Sequence, residues 1–269
     1  PVSATYELTA EGAMVLADPD SPVFVPPAWD VPASMFLDSE DTIAAFRTGR
    51  GVPWGDRHPG LHEGVAGFYR NAYRTSIAGQ WIPALDGVAE TLARGGAVAD
   101  IGCGHGHSSV AIAEAFPETQ VDGIDAHAPS IEAARRHARQ AGVADRVSFR
   151  VDDARGYPGR GYDLICFFDA LHDMGDPVAG ARHIRDALAP DGTWLLVEPI
   201  TPAEGPVARI FWSASMGICT PSAQAQPGGF ALGNQVPDER WAELLASAGL
   251  TRFRRATETP FNRIFEVRR

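Results

Sequence analysis

Lysine is absent from this chain of 269 residues, and all 23 of its basic residues are arginines. Neither a lysine Schiff base nor a phosphate-binding G-x-x-x-x-G-K-[ST] loop can therefore arise within it. Cysteine is scarce, and Cys103, Cys166 and Cys219 lie far apart. With no C-x-x-C pair, neither a disulfide framework nor a cysteine-rich zinc site is expected. No uninterrupted run of about 18 apolar residues exists to cross a bilayer. The opening PVSATYELTAEG lacks a basic stretch followed by an apolar one, so no signal peptide is expected and the cytoplasm is the expected compartment. Positive charge is short as well: 34 acidic residues against 23 basic ones leave a net charge of -11. That balance speaks against nucleic acid or an anionic membrane surface as partner. The chain is 45% hydrophobic and 21% charged, enough to bury the core of one large domain, with or without an appendage.

Residues 1–75 are rich in proline, with Pro19, Pro22, Pro26, Pro27 and Pro32 close together. Short helices are expected over 9–17 and 41–47, and a turn-rich loop over 49–60. The spacing of Ile77, Trp81, Leu85, Val88 and Leu92 predicts one helix over 75–94, stopped by Gly95-Gly96. Expected strands over 97–101, 120–124, 147–151, 162–167 and 193–197 are interleaved with helices over 108–115, 130–140 and 178–188. Such interleaving predicts a parallel α/β sheet. Residues 200–236 break the rhythm and read as a long irregular insertion with one short helix near 207–216. A helix over 238–248 follows. Two strands, 251–257 and 261–268, then close the chain as a hairpin around Glu258-Thr259-Pro260.

Five segments carry chemistry. Asp100-Ile101-Gly102-Cys103-Gly104-His105-Gly106-His107 ends the first strand and opens a helix. Its glycines allow tight turns and let a ligand approach the backbone and the helix N-terminus. His107 stands where the dinucleotide fingerprint needs its third glycine, so a nicotinamide enzyme ranks lower. Asp125 closes the second strand about 20 residues later, where a carboxylate can bind both ribose hydroxyls of a nucleoside. Asp152-Asp153-Ala154 follows the third strand, where a carboxylate can accept from an adenine amino group. The run F-F-D-A-L-H-D-M-G-D-P from Phe167 leads the fourth strand into a polar tip. L-A-P-D-G from Leu188 is a helix stop and tight turn ahead of the fifth strand.

Taken in order over residues 76–199, these segments resemble the class I S-adenosylmethionine-dependent methyltransferases. The resemblance implies a Rossmann-like α/β fold. Its sheet would be seven-stranded and mostly parallel, with a C-terminal antiparallel hairpin and a helical N-terminal cap. It divides the chain into a cap over 1–75 and a methyltransferase domain over 76–269, with 200–236 as a lid-like insertion. The Phe167–Pro177 run and Gln226-Pro227-Gly228-Gly229 are similar to a bacterial subgroup with a winged-helix-like region ahead of the catalytic domain. Tyr6-Glu7-Leu8-Thr9 then reads as the tail of such a region. The implied activity is transfer of a methyl group from S-adenosyl-L-methionine to O, N or C of a small molecule, as in secondary metabolism. S-adenosyl-L-homocysteine would be the second product. A cofactor-binding regulator or cyclase and, below it, a nicotinamide oxidoreductase are the alternatives. No D/N-P-P-Y/F motif follows the fourth strand, so nucleic acid is not the expected acceptor, and homodimer formation stays open.

The resemblance assigns the cofactor to Asp100, Gly102, Cys103, Gly104, Gly106, Asp125, Ala126, Asp153, Ala154 and Phe168. Asp100 serves equally well as a loop anchor or a contact for the methionyl amine. Asp125 competes with a reading as helix cap, and Asp152 competes with Asp153. Cys103 is also a simple gap filler, and His105 and His107 are expected to point outward. His172, at the carboxyl end of a central strand, is the candidate general base; a capping or supporting histidine is the plainer reading. Asp169 and Asp173 flank it and could orient or replace it, while Glu198 could face substrate or solvent. Tyr69, Tyr73, Trp212 and Met216, with Phe68, could line an apolar acceptor pocket or fill the space between cap and sheet. No metal is expected, because the sequence shows no cluster of ligands.

Overall fold

The computed structural model describes residues 5–269; the first four residues of the expected cap lie outside the described residues. Seven strands form one sheet: β1 (Ala97–Ile101), β2 (Gln120–Asp125), β3 (Val147–Val151), β4 (Tyr162–Phe168), β5 (Leu188–Pro199), β6 (Arg252–Glu258) and β7 (Asn262–Arg268). Their order is β3-β2-β1-β4-β5-β7-β6, parallel except for β7, which runs antiparallel to both of its neighbours. Strands β1 and β4 read as near-continuous apolar runs because both faces are covered. Val98, Cys166 and Leu195 pack into one hydrophobic cluster, and their sequence neighbours Ala99, Ile165 and Trp194 into another. A period of two sends those sets to opposite faces. The chain reverses its direction of sheet growth between β1 and β4, and the carboxyl ends of those strands open the crevice where such sheets bind ligands.

The first helices are α1 (Ala10–Leu16), α2 (Asp30–Leu37), α3 (Ser39–Thr48), α4 (Pro59–Ser76) and α5 (Val88–Ala93). Between the strands run α6 (His107–Ala115), α7 (Ala128–Gln140) and α8 (Pro177–Ala187). After β5 come α9 (Pro206–Ala214), α10 (Thr220–Gln224) and α11 (Asp238–Ser247). No helix among the described residues is long and apolar enough to cross a membrane.

Three expectations are corrected. The single helix over 75–94 is instead the end of α4, a π turn at Ile77–Trp81, a 3-10 turn at Ile82–Ala84 and a separate α5. Pro83 has no N–H to donate and its ring clashes with the preceding turn, so the helix cannot continue through it. Secondly, the loop over 49–60 gives way to α4 at its end. Pro59 opens that helix and the His58 side chain accepts from the Gly60 N–H. Glycines conceal α4 from a propensity reading, yet they are contact points. A Cβ at Gly64 would lie 2.9 Å from that of Asp30, and one at Gly67 would lie 2.7 Å from that of Pro27. Thirdly, the irregular insertion is largely helical: α9 passes through a π turn at Ser215–Cys219 straight into α10.

Candidate active site

The glycine loop joins β1 to α6. Gly102, Gly104 and Gly106 have φ of +69°, +52° and +75°, the left-handed region that residues with a Cβ avoid. The loop is pinned to β2, since the N–H groups of Gly102 and Cys103 both donate to the Ile124 carbonyl. Asp125 ties it further. Its Oδ2 accepts from the Gly104 N–H and its Oδ1 from the His127 N–H, both at 2.8 Å. Burial raises the Asp125 pKa against the pull of those two N–H groups. Asp100 is fully buried and accepts the Ser108 and Ser109 hydroxyls on Oδ2, at 2.6 and 2.5 Å. Its Oδ1 is buried without a hydrogen bond, and burial pushes its pKa up to about 6. An unpaired buried carboxylate oxygen at this crevice is a ready acceptor for an ammonium group.

Asp153 is exposed and held by Arg155 at 2.5 Å, which keeps its carboxyl below the usual range. Asp152 accepts the Asp153 N–H. Ala126 is exposed and Ala154 half-buried. Cys103 is buried, and burial raises its thiol pKa. The outward expectation fails for His105, which is buried near Glu63, and His107 stacks on His137 at 4.5 Å. Burial drives the His107 pKa down to about 3, so the ring sits beside the loop uncharged. His62 of α4, which sequence reading passed over, places Nδ1 3.1 Å from that of His127.

The other half of the site lies at the ends of β4 and β5. Tyr69 and Tyr73 stack at 5.6 Å on α4, and Tyr73 meets Phe168 at 5.2 Å. Burial, then the nearby charge of Asp169, raises both tyrosine hydroxyls. Trp212 and Met216 are not brought to this cluster; they lie 56% and 59% exposed. His172 is buried, with Nδ1 2.7 Å from Oε2 of the equally buried Glu198. Its Nε2 lies 3.3 Å from Asp173 Oδ1. Burial lowers the His172 pKa, but the charges of Asp173 and Glu198 outweigh it and carry the value well above 6.5. Glu198 is thus the group paired with Nδ1 of the imidazole, and it is shut off from solvent, with its Oε1 buried and without a hydrogen bond. Cys219, on the π turn after α9, completes the surroundings, with its thiol among the donor atoms beside His172. No spacing in the sequence signals that encounter.

Asp169 is the one described residue other than glycine with positive φ, at +52°. It accepts from Asn262 Nδ2 at 2.7 Å. Burial first, and the charge of Glu198 next, push its pKa up to about 8. In the unfolded chain this carboxyl ionises near 4. The stability it contributes is therefore complete below about pH 4 and is lost as pH rises through about 8. Asp169→Asn cannot ionise, and asparagine tolerates left-handed backbone. Its thermal midpoint should gain on that of the unaltered protein as the pH is raised from about 4 to about 8, by a few degrees or more. A difference that stays constant across melts in that range would contradict the assignment.

This layout of strands, with a glycine loop at the switch point and an acid at the end of β2, defines a Rossmann-like methyltransferase fold. A solved human N-acetylserotonin methyltransferase shares it with a TM-score of 0.66 at 17% identity, covering 97% of this chain and 75% of that one. Residues 99–194 match a family model described as a methyltransferase domain. A 27-O-demethylrifamycin SV methyltransferase of Amycolatopsis mediterranei is 34% identical over 103 residues, 38% of each chain. A trans-aconitate 2-methyltransferase of Methylobacterium radiotolerans is 30% identical over 158 residues, 55% of each. The chain thus spans about half or less of these curated relatives. Residues 99–194 are therefore a methyltransferase domain within a Rossmann-like methyltransferase fold.

Proposed function

We propose that this protein transfers a methyl group from S-adenosylmethionine to an oxygen of a small-molecule acceptor. His172 would deprotonate the acceptor hydroxyl. The observation that carries this reading is the His172–Glu198 pair at the carboxyl ends of β4 and β5, beside the glycine loop. A cation fits the loop side. Asp100 Oδ1 offers an unpaired carboxylate oxygen to an ammonium group, and a Cβ at Gly104 would meet nothing within 4 Å. Asp125 would take the ribose hydroxyls, and the segment at Asp152, Asp153 and Ala154 the base. Gly102, Cys103 and Gly106 would present their backbone to the rest of the cofactor, with Phe168 and Ala126 as further contacts. The bound cofactor supplies an electrophilic methyl on a sulfonium.

The remaining work falls to the chain itself. Tyr69, Tyr73 and Phe168 would offer aromatic faces to an acceptor and exclude water, with α4 and the stretch from α9 to α10 as cover. Glu198 holds Nδ1 protonated, so the free electron pair of neutral His172 sits on Nε2, the atom that would take the proton. The chain's similarity to a ubiquinone biosynthesis O-methyltransferase of Neisseria meningitidis, 34% identical over 113 residues, supports oxygen as the accepting atom.

The raised pKa of His172 makes the reading testable. Only the neutral ring is a base, so the rate with a hydroxyl acceptor should rise with pH through a value above 6.5. Glu198→Gln removes a neighbouring negative charge. The acidic limb should move to lower pH, and the maximum rate should fall about ten- to a hundredfold as the ring loses its orienting partner. A limb that does not move would remove Glu198 from the mechanism. Incubation with isotope-labelled cofactor and a panel of hydroxylated small molecules supplies the acceptor. Label that appears only on nitrogen or carbon would overturn the choice of oxygen.

A further inference from the structure

Three donor groups of different chemistry meet at the tip of β4. A ring nitrogen of His172, a carboxylate oxygen of Asp173 and the Cys219 sulfur all lie within 4.8 Å of one another, and Nε2 is the ring nitrogen 3.3 Å from Asp173 Oδ1. Two come from the turn after β4 and one from the π turn between α9 and α10, so only folding assembles them. The expectation of no metal rested on sequence spacing alone and could not see this. His172 and Cys219 are buried, at 3% and 5% exposure. We propose that His172, Asp173 and Cys219 form a binding site for a thiophilic divalent cation, with Zn2+ the best match.

The donor set decides the metal. One thiolate, one imidazole and one carboxylate suit Zn2+, whereas Mg2+ and Ca2+ take oxygen donors. Three protein donors leave the fourth tetrahedral position open to water or to an acceptor oxygen. The support behind the histidine is already in place. Zinc-bound imidazoles donate their other ring N–H to a carboxylate, and His172 Nδ1 meets Glu198 Oε2 at 2.7 Å. Half-buried Asp173 and buried Glu198 are already balanced by His172 and the Arg57 guanidinium near Asp173, so the donor set, and not an excess of negative charge, would hold the cation. Burial and Asp173 push the Cys219 thiol up to about 12, so it is protonated without metal. Binding replaces that proton by a sulfur–metal bond and releases it to solvent. Metal binding stands apart from the methyl-transfer reading. Its consequence rests on that reading: a cation on Nε2 takes the electron pair that His172 would use as a base, so Zn2+ inhibits the enzyme.

The probe is Co2+, whose bond to thiolate gives a charge-transfer absorption. Added to metal-free protein, it should give that band together with the intense visible bands of tetrahedral cobalt, and Zn2+ should displace both. Cys219→Ser should lose the charge-transfer band, and Asp173→Asn should bind about tenfold or more weakly. Should Cys219→Ser fail to fold, alkylation of the unaltered protein decides instead. Zn2+ should slow modification of Cys219 and leave that of Cys103 unchanged. No thiolate band, or one that survives in folded Cys219→Ser, overturns the site. Undiminished alkylation of Cys219 overturns it equally. Chelation should restore methyl transfer stopped by Zn2+. Activity lost on chelation would overturn the inhibitory role while leaving the site intact.

Discussion

His172→Gln is expected to lower methyl transfer to a hydroxyl acceptor by about 10²–10⁴-fold, with cofactor affinity nearly unchanged. Glutamine is the better substitution because Glu198 is buried. Alanine would leave that carboxylate without its partner at 2.7 Å and confound lost catalysis with lost stability. The glutamine amide can still donate to Glu198, but it cannot accept a proton from a hydroxyl. A loss of that size is about 3–5 kcal/mol of transition-state stabilisation, the scale of a missing base and not of a displaced loop. The acidic limb of the pH profile should vanish with the imidazole. Binding of S-adenosylhomocysteine by calorimetry is the control, since the polar groups assigned to it lie on β1, β2, the glycine loop and the segment after β3, and His172 is not among them. Full activity in folded His172→Gln would mean that positioning alone drives transfer, or that Asp169 takes the proton.

The sheet was legible because each of its strands obeys a rule that acts locally. Val98–Ile101 and Leu164–Phe167 are buried on both faces, so they show as apolar runs, broken only by Asp100, between turn-forming residues. The helices over the sheet carry the period that burial of one face demands. Failures came where tertiary contact overrode propensity. Gly64 and Gly67 look like helix breakers, yet α4 needs them to let Pro27 and Asp30 close in. Likewise the stretch around Pro221 falls in the insertion read as irregular, yet it stays helical by passing through a π turn.

The candidate site divides in the same way. The glycine loop and Asp125 are neighbours through one β–α–β unit, so their spacing along the chain encodes their meeting. Glu198 and His172 meet because β4 and β5 are adjacent in the sheet. The sequence carries both residues, but it does not say which way Glu198 points. Cys219 and Asn262 reach the tip from elements far along the chain, and nothing local marks them. Trp212 and Met216 carried the right chemistry for a pocket wall but are 56% and 59% exposed and do not join the Tyr69, Tyr73 and Phe168 ring cluster. A helix shows its period in sequence, whereas the side it turns toward the sheet is set by packing.

Gly104→Val should fold and yet lose S-adenosylhomocysteine binding by about 10²-fold or more, whereas Gly106→Val should not keep its fold. Both glycines have positive φ, so each substitution incurs about 1–2 kcal/mol of backbone strain. What separates them is the space beyond Cα. A Cβ at Gly106 would lie 2.7 Å from both Ala134 Cβ and Phe149 Cζ. Neither neighbour can retreat, because Ala134 is on α7 and Phe149 on β3, both packed in the core. The Gly106 substitution therefore breaks the seating of α6 on the sheet. A Cβ at Gly104 would meet no protein atom within 4 Å, so a branched side chain there obstructs only what approaches the loop from outside. The Gly104 N–H is already committed to Asp125 Oδ2, and strain at this residue also tilts the carboxylate assigned to ribose. Circular dichroism should show a near-normal melt for Gly104→Val and a strongly lowered one for Gly106→Val. Calorimetry would then register binding lost in the first variant. Normal affinity in folded Gly104→Val would move the cofactor away from this loop, and with it the assignment of Asp125.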